Sequence, residues 1–98
     1  MVIVQIEHPV ANFTMWKAAF DSDPIDRKAS GVRRYRILRP IDDPNYVAVD
    51  LEFDDRLQAE AFRGALESLW LTPQAIGAMG VGAIPRARVV EESGSVVL

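Results

Sequence analysis

The sequence predicts an α+β fold with the element order strand, helix, strand, strand, helix, strand, which is the ferredoxin-like arrangement. Three observations lead to this prediction. Residues 46–53 alternate apolar and polar side chains, two stretches carry apolar residues at helical spacing, and a turn rich in Pro and Asp separates two strand-like segments. Such a chain packs both helices on one face of a four-stranded antiparallel sheet and leaves the other face bare.

Composition indicates one small folded domain. The chain has 98 residues, of which 49% are hydrophobic and 26% charged, enough for a single core. We assign residues 1–92 to this domain and residues 93–98 to a C-terminal tail. The net charge of −3 gives no general attraction to nucleic acid or anionic lipid, and no apolar run approaches a membrane span. We therefore expect a cytoplasmic protein that binds neither nucleic acid nor membrane.

The first strand covers residues 2–7 and ends at His8-Pro9 in this prediction. Apolar side chains on both of its faces indicate a central position in the sheet. Asn12 is a suitable N-cap for a helix over about 13–21. After it, Asp23-Pro24 resembles a second cap with Pro at the first helical position, which predicts a short helical turn that ends at Gly31.

Residues 32–39 and 46–53 predict two strands joined by the turn from Pro40 to Asn45. The second strand turns its odd positions to the core, namely Val47, Val49, Leu51 and Phe53. Either face of the first strand could be buried. We assign the core face to Arg33, Tyr35, Ile37 and Arg39, because charges at strand ends can reach water. Arg34 and Arg36 then lie beside Asp50 and Glu52 on the other face, where cross-strand pairs contribute about 0.2–1 kcal/mol each.

The second half of the chain predicts a helix, a shorter helix and a last strand. Asp55 to Gln58 has the spacing of a capping box and opens a helix over about 55–69. Its apolar stripe is read as Leu57, Ala61, Ala65, Leu66 and Leu69. Thr72-Pro73 begins a short helix that ends near Met79, and the last strand, 83–91, alternates arginine with apolar residues.

The bare sheet face should contact a partner. It carries apolar and complementary charged groups together, namely Ile3, Gln5, Arg34, Arg36, Leu38, Tyr46, Ala48, Asp50, Glu52, Arg86 and Arg88. Such a mixture is more typical of an interface than of open solvent. We therefore predict a homodimer that forms through this face.

Several runs resemble one known family. They are residues 7–21, Gly31-Val32, residues 42–47, Phe53, and a helix that contains Ala61-Phe62 and Leu66. Over about residues 2–90 the chain is similar to small bacterial proteins of the dimeric α+β barrel superfamily, nearest to the antibiotic biosynthesis monooxygenase-like group. This resemblance implies a homodimer in which two sheets face each other to form a barrel. It also implies an activity among those of the superfamily, which include cofactor-independent oxygenases of aromatic substrates and lactone isomerases.

Other activities of that superfamily fit the sequence less well. Its haem-degrading members need a haem-ligating histidine on the second helix, and residues 55–70 contain none. The chain has no cysteine and a single histidine, which argues against a thiolate nucleophile and against a metal site within one chain. We therefore expect no metal and no cofactor.

The candidate catalytic residues are His8, as a general base, and Arg36, as a stabiliser of an anion. The candidate substrate-binding residues are Asn12, Trp16, Tyr35 and Trp70. All of them except Tyr35 have a simpler alternative: His8 as a turn residue, Asn12 as a helix cap, Trp16 as core, Trp70 as an interface anchor, and the sheet arginines as an ion-pair network.

Two functions remain open at this point. The first is a cofactor-independent monooxygenase or isomerase of a small aromatic or lactone-like substrate. The second is a non-catalytic dimeric barrel that binds a small hydrophobic ligand or acts as a structural module. A cavity of a few hundred Å³ lined by His8, Trp16 or Trp70 would favour the first.

Overall fold

The computed structural model covers residues 1–98 and contains one four-stranded antiparallel sheet and three helices. The strands are β1 (Val2–Pro9), β2 (Val32–Leu38), β3 (Tyr46–Phe53) and β4 (Arg86–Glu91), and the helices are α1 (Phe13–Asp21), α2 (Arg56–Trp70) and α3 (Pro73–Met79). The strand order β2-β3-β1-β4 places β1 and β3 in the centre. The ferredoxin-like α+β fold and the central position of the first strand are thereby confirmed.

The core lies between the helices and one face of the sheet. The odd positions of β3 are almost fully buried, as its alternation predicts. They pack with Val4 and Ile6 of β1 and with buried residues of α1 and α2 in one apolar cluster. Burying one large aliphatic or aromatic side chain stabilises a fold by about 1.5–3 kcal/mol, so this cluster fixes which face the helices cover.

The facing of β2 is confirmed by its ion pairs on the bare face. Arg34 lies 2.6 Å from Glu52 and Arg36 lies 3.0 Å from Asp50. The placement of Arg33 on the core face is wrong, because a β-bulge shifts the register at this residue. The bulge lets Val32 pack on the core and leaves Arg33 paired with Asp54 at 3.3 Å.

Three side chains cap the helices where the sequence predicts helix starts. Asn12 Oδ1 accepts a hydrogen bond from the Met15 amide at 3.0 Å, which opens α1. Asp55 Oδ1 accepts from two amides of the first turn of α2. Thr72 Oγ1 accepts from the Ala75 amide and opens α3. Each cap satisfies an amide that has no partner within its helix.

The apolar stripe predicted for α2 is partly wrong. Leu57 is 79% exposed, and the buried residues of this helix are Ala59, Phe62 and Leu66. Both sets of positions follow helical spacing, so periodicity alone does not choose between them. The ring of Phe62 packs 5.5 Å from that of Phe53. This aromatic contact orients the face of α2 that carries Ala59, Phe62 and Leu66 toward the sheet.

The short helix predicted at Asp23-Pro24 does not form. Residues 22–31 are a series of turns, and Asp23 and Asp26 have φ values of 55° and 56°. A helix cap needs extended backbone, whereas this left-handed conformation is one that Asp tolerates through local hydrogen bonds. Asp23 Oδ1 accepts from the Arg27 amide at 2.9 Å, and Asp26 Oδ1 from the Ala29 amide at 3.2 Å.

The C-terminal residues extend beyond β4 without a helix or strand. The three apolar side chains at the end, Val96, Val97 and Leu98, are exposed. The division into residues 1–92 and 93–98 stays a prediction from the sequence. None of the helices is both long and apolar enough to cross a membrane.

Candidate ligand-binding cavity

A cavity of about 370 Å³ lies between the sheet and the helices. Hydrophobic residues make up 13 of the 20 that line it, and they come from β1, β3, all three helices and the turn after α1. Small-molecule sites in proteins commonly have volumes of about 300–1,000 Å³ and mostly apolar walls. The cavity is therefore of the size and character that suit a ligand of one or two aromatic rings.

His8 reaches this cavity because β1 is longer than the sequence indicates. His8 and Pro9 pair with Val47 and Tyr46 of β3, so the predicted range of 2–7 is two residues too short. Proline is tolerated there because the last position of a strand forfeits at most one ladder hydrogen bond. The alternation of Val4, Ile6 and His8 turns the imidazole inward, where only 2% of the residue is exposed.

The hydrogen bonding of His8 fixes its tautomer. Nδ1 lies 2.7 Å from the carbonyl oxygen of Pro9, and a carbonyl can only accept, so Nδ1 carries the proton. No protein group hydrogen-bonds Nε2, which keeps its lone pair in the neutral ring. Burial lowers the pKa of His8, and the hydrogen bond to Pro9 only partly opposes this shift. The imidazole is therefore neutral near pH 7 and offers Nε2 as a proton acceptor.

Two tryptophans flank the imidazole. The ring centroid of His8 lies 5.8 Å from that of Trp16 on α1 and 6.0 Å from that of Trp70 at the end of α2, both in edge-on geometry. Trp16 also packs 5.2 Å from Phe20 of the same helix. These rings give the cavity flat aromatic walls that suit a planar ligand.

Polar side chains line another part of the cavity, and no pattern in the sequence marks them as a site. They are Ser22, Asp23, Arg27, Thr72 and Gln74. Arg27 is the one cation among the lining residues, and its side chain is only 15% exposed. The sequence signal in this segment is Asp23-Pro24, which predicts a helix start and not a binding site.

The structure brings together three of the six predicted site residues. His8, Trp16 and Trp70 all line the cavity, whereas Asn12, Tyr35 and Arg36 do not. Asn12 caps α1 at an exposed position. Tyr35 is 40% exposed and packs its ring 5.1 Å from that of Phe20.

A single site that combines His8 with Arg36 does not form within the chain. The two side chains lie on opposite faces of the sheet, because β2 turns Tyr35 and Ile37 toward the helices and Arg36 away from them. Arg36 pairs there with Asp50, and its side chain is 70% exposed. No group of three or more His, Asp or Glu side chains is arranged to hold a metal ion.

Comparisons with known proteins relate the chain to others by structure. No protein-family model and no curated protein matches the sequence. SnoaB, a cofactor-independent oxygenase from Streptomyces nogalater, superposes with a TM-score of 0.69 at 15% identity, over 97% of this chain and 95% of its own. A dimeric ferredoxin-like protein from an uncultured marine organism gives a TM-score of 0.65 at 15% identity, over 97% of both chains.

A third similar structure comes from Nitrosomonas europaea. Its name assigns it provisionally to the antibiotic biosynthesis monooxygenases, and it matches with a TM-score of 0.61 at 16% identity, over 96% of this chain and all of its own. At such low identity the similarity establishes the fold. It confirms the ferredoxin-like α+β fold that the resemblance implies.

Proposed function

We propose that the cavity binds a small aromatic or lactone-like molecule and that the protein acts on it as a cofactor-independent monooxygenase or isomerase. His8 is the general base in this proposal, and Trp16 and Trp70 are the walls against which the substrate stacks. The observation that carries it is the neutral imidazole of His8, which lines an apolar cavity between two indoles with Nε2 unpaired.

The proposed oxygenation begins with a proton transfer. Nε2 of His8 accepts the proton of a phenolic substrate, and the electron-rich anion that remains reacts with dioxygen. A phenol and one dioxygen give a quinone and one water, so the reaction needs no further reductant. An isomerase uses the same base to move a proton within the substrate and consumes no oxygen.

Burial serves this chemistry in two ways. The lowered pKa keeps the lone pair of His8 free at neutral pH, although it also makes the imidazole a weaker base. The apolar walls exclude water and bring the substrate hydroxyl to the one acceptor nitrogen that lacks a partner. Asn12, Tyr35 and Arg36 have no part in this proposal because they lie outside the cavity.

Oxygen uptake with a panel of hydroxynaphthalenes tests the proposal. We expect protein-dependent uptake that His8→Gln reduces about 100-fold or more, since a general base contributes about 10²–10⁴-fold. Lys17→Gln, an exposed change on α1, is the control and should leave the rate unchanged. If His8→Gln consumed oxygen at the wild-type rate, His8 would not be the general base.

A non-catalytic ligand-binding barrel is the second candidate. The predominance of hydrophobic lining residues favours it, because such a cavity binds an apolar ligand whether or not chemistry follows. Quenching of tryptophan fluorescence reports binding through Trp16 and Trp70. Saturable quenching by the same panel, with neither oxygen uptake nor isomerised product, would decide for this candidate.

We also propose that two copies associate through the bare face of the sheet. Its ion pairs lie side by side, with Arg34 on Glu52 and Arg36 on Asp50, and Tyr46 donates to Glu7 at 2.8 Å. A face with matched charges and partly exposed apolar groups suits self-association. A monomeric mass in sedimentation at micromolar concentration would contradict the dimer. The cytoplasmic location stays a prediction from the sequence.

A further inference from the structure

We infer that the cavity selects a ligand with an anionic group and that Arg27 binds this group, so that the ligand is an aromatic acid. The inference rests on the proposed binding function of the cavity and narrows its ligand class. It assigns to Arg27, in the turn after α1, the specificity for the charged end of the ligand, while the tryptophans hold the ring.

Arg27 is held in place without a ligand. Its Nη1 donates to the carbonyl oxygen of Phe20 at 2.7 Å, and its guanidinium carbon lies 4.0 Å above the ring of Phe20 and 5.0 Å from that of Tyr35. Among the arginines that form ion pairs, it has the least exposed side chain. A guanidinium fixed in this way loses little freedom when it binds an anion.

The turn itself fixes the position of Arg27. The Asp23 carboxylate accepts from the Arg27 amide, and Ser30 Oγ donates to the carbonyl oxygen of Ile25 at 3.0 Å. Together with the bond from the Ala29 amide to Asp26 Oδ1, they hold the turn that contains the left-handed residues Asp23 and Asp26. The turn thus places Arg27 at the cavity, and contacts with Phe20 fix its guanidinium.

Most donors of the guanidinium remain available. Arg27 has five N–H groups, and one donates to Phe20. Its nearest carboxylate is that of Asp23, whose Oδ1 lies 3.5 Å from Nε, longer than the roughly 2.7–2.9 Å of a charge-assisted hydrogen bond. A ligand carboxylate that accepts from two of the free N–H groups would be the stronger partner.

No other lysine or arginine lines the cavity, so the role of cation falls to Arg27. His8 is neutral near pH 7, so it supplies no positive charge. Ser22 and Thr72 already donate their hydroxyls to carbonyl oxygens of Ala19 and Leu69. Phe20 links the two ends of the site, because its ring contacts both Trp16 and the guanidinium. Asp23 is the one carboxylate of the lining, and its Oδ1 lies 3.5 Å from Nε of Arg27. A planar acid thus finds aromatic walls and, beside them, one cation whose charge Asp23 partly offsets.

Calorimetric binding of naphthoate and of its neutral methyl ester tests the inference. We expect the wild-type protein to bind naphthoate about 10- to 100-fold more tightly than the ester, which is the usual effect of hydrogen bonds to a charged group. Arg27→Gln should abolish this preference. Arg56→Gln, an exposed change on α2, is the matched control and should preserve it.

Arg27 also contacts Phe20, so its replacement could weaken binding by disturbing the fold. A second variant distinguishes this effect from loss of the contact with the anion. Arg27→Lys keeps the positive charge and loses the planar fork, so it should retain part of the preference for naphthoate, with thermal unfolding recorded for each variant. His8→Gln should leave the preference for naphthoate intact, although it slows oxygen uptake with hydroxynaphthalenes.

The outcomes separate the two proposals. Equal affinities for acid and ester in the wild type, or an unchanged preference in folded Arg27→Gln, would overturn the role of Arg27 and leave the cavity as a binding site. Failure of both ligands to bind would overturn the cavity proposal and this inference together.

Discussion

Polar side chains have different environments on the two faces of the sheet. The face under the helices buries its aliphatic residues and one histidine, which is kept neutral and shares its surroundings with two indoles. The other face has no helix above it, and there Arg34 and Arg36 pair with carboxylates of the neighbouring strand. The proposed chemistry therefore uses the first face, and the proposed association of two copies uses the second.

The largest expected effect is on the covered face. Phe53→Ala removes a fully buried ring that packs on Phe62, and we expect it to lower the free energy of unfolding by about 3–5 kcal/mol. Asp50→Asn, on the bare face of the same strand, should cost much less. Urea unfolding of both variants measures the difference, and similar losses would mean that the two faces contribute alike.

The next effect concerns the bare face. Arg36→Ala removes an ion pair within the proposed interface, and we expect the dimer dissociation constant to rise about tenfold, which corresponds to about 1.4 kcal/mol. Arg63→Ala, on the outer side of α2, is the control and should have little effect on dimerisation. Equal dissociation constants in analytical ultracentrifugation would place the interface elsewhere.

Asn12→Ala tests the boundary of the covered site. Loss of the cap on α1 should lower the free energy of unfolding by about 1 kcal/mol, because the Met15 amide loses its acceptor. Ligand affinity should stay unchanged, since Asn12 does not line the cavity. If the stably folded variant bound ligand more weakly, Asn12 would have to contribute to ligand binding.

The mildest expected effect depends on pH. The pKa of folded His8 lies below the ordinary value of 6.5, so the unfolded chain takes up the proton first as pH falls. The contribution of His8 to stability is therefore complete above pH 6.5 and declines below it, until the lower pKa of the folded state is reached. His8→Gln should lack this decline in urea unfolding across this range, and an identical decline in both proteins would assign it to other groups.

Local patterns in the sequence identify most of the fold. The alternation in β3 predicts its buried face, and cap residues such as Asn12 and Asp55 predict where helices begin. The pairing of Arg34 and Arg36 with acidic residues follows from the choice that keeps mid-strand charges out of the core. Each of these features depends on neighbours within a few residues or on one strand pair.

Features set by tertiary packing were not predictable in this way. Both apolar stripes of α2 have helical spacing, and only contact with Phe53 selects the one that contains Phe62. The bulge at Arg33 adds a residue that alternation does not reveal. Of the site, His8, Trp16 and Trp70 were recognisable as unusual residues, whereas Arg27 lines the cavity only because two aspartates bend the preceding turn.

The distribution of arginine across the sheet bears on solubility. The outer strands β2 and β4 carry five arginines, at positions 33, 34, 36, 86 and 88, while the central strands β1 and β3 carry no basic residue other than the neutral His8. An outer strand exposes backbone groups that could pair with another chain, and charged side chains along it oppose such pairing. Pairing at either edge would strip water from these charged side chains, so growth of the sheet into fibrous aggregates is disfavoured.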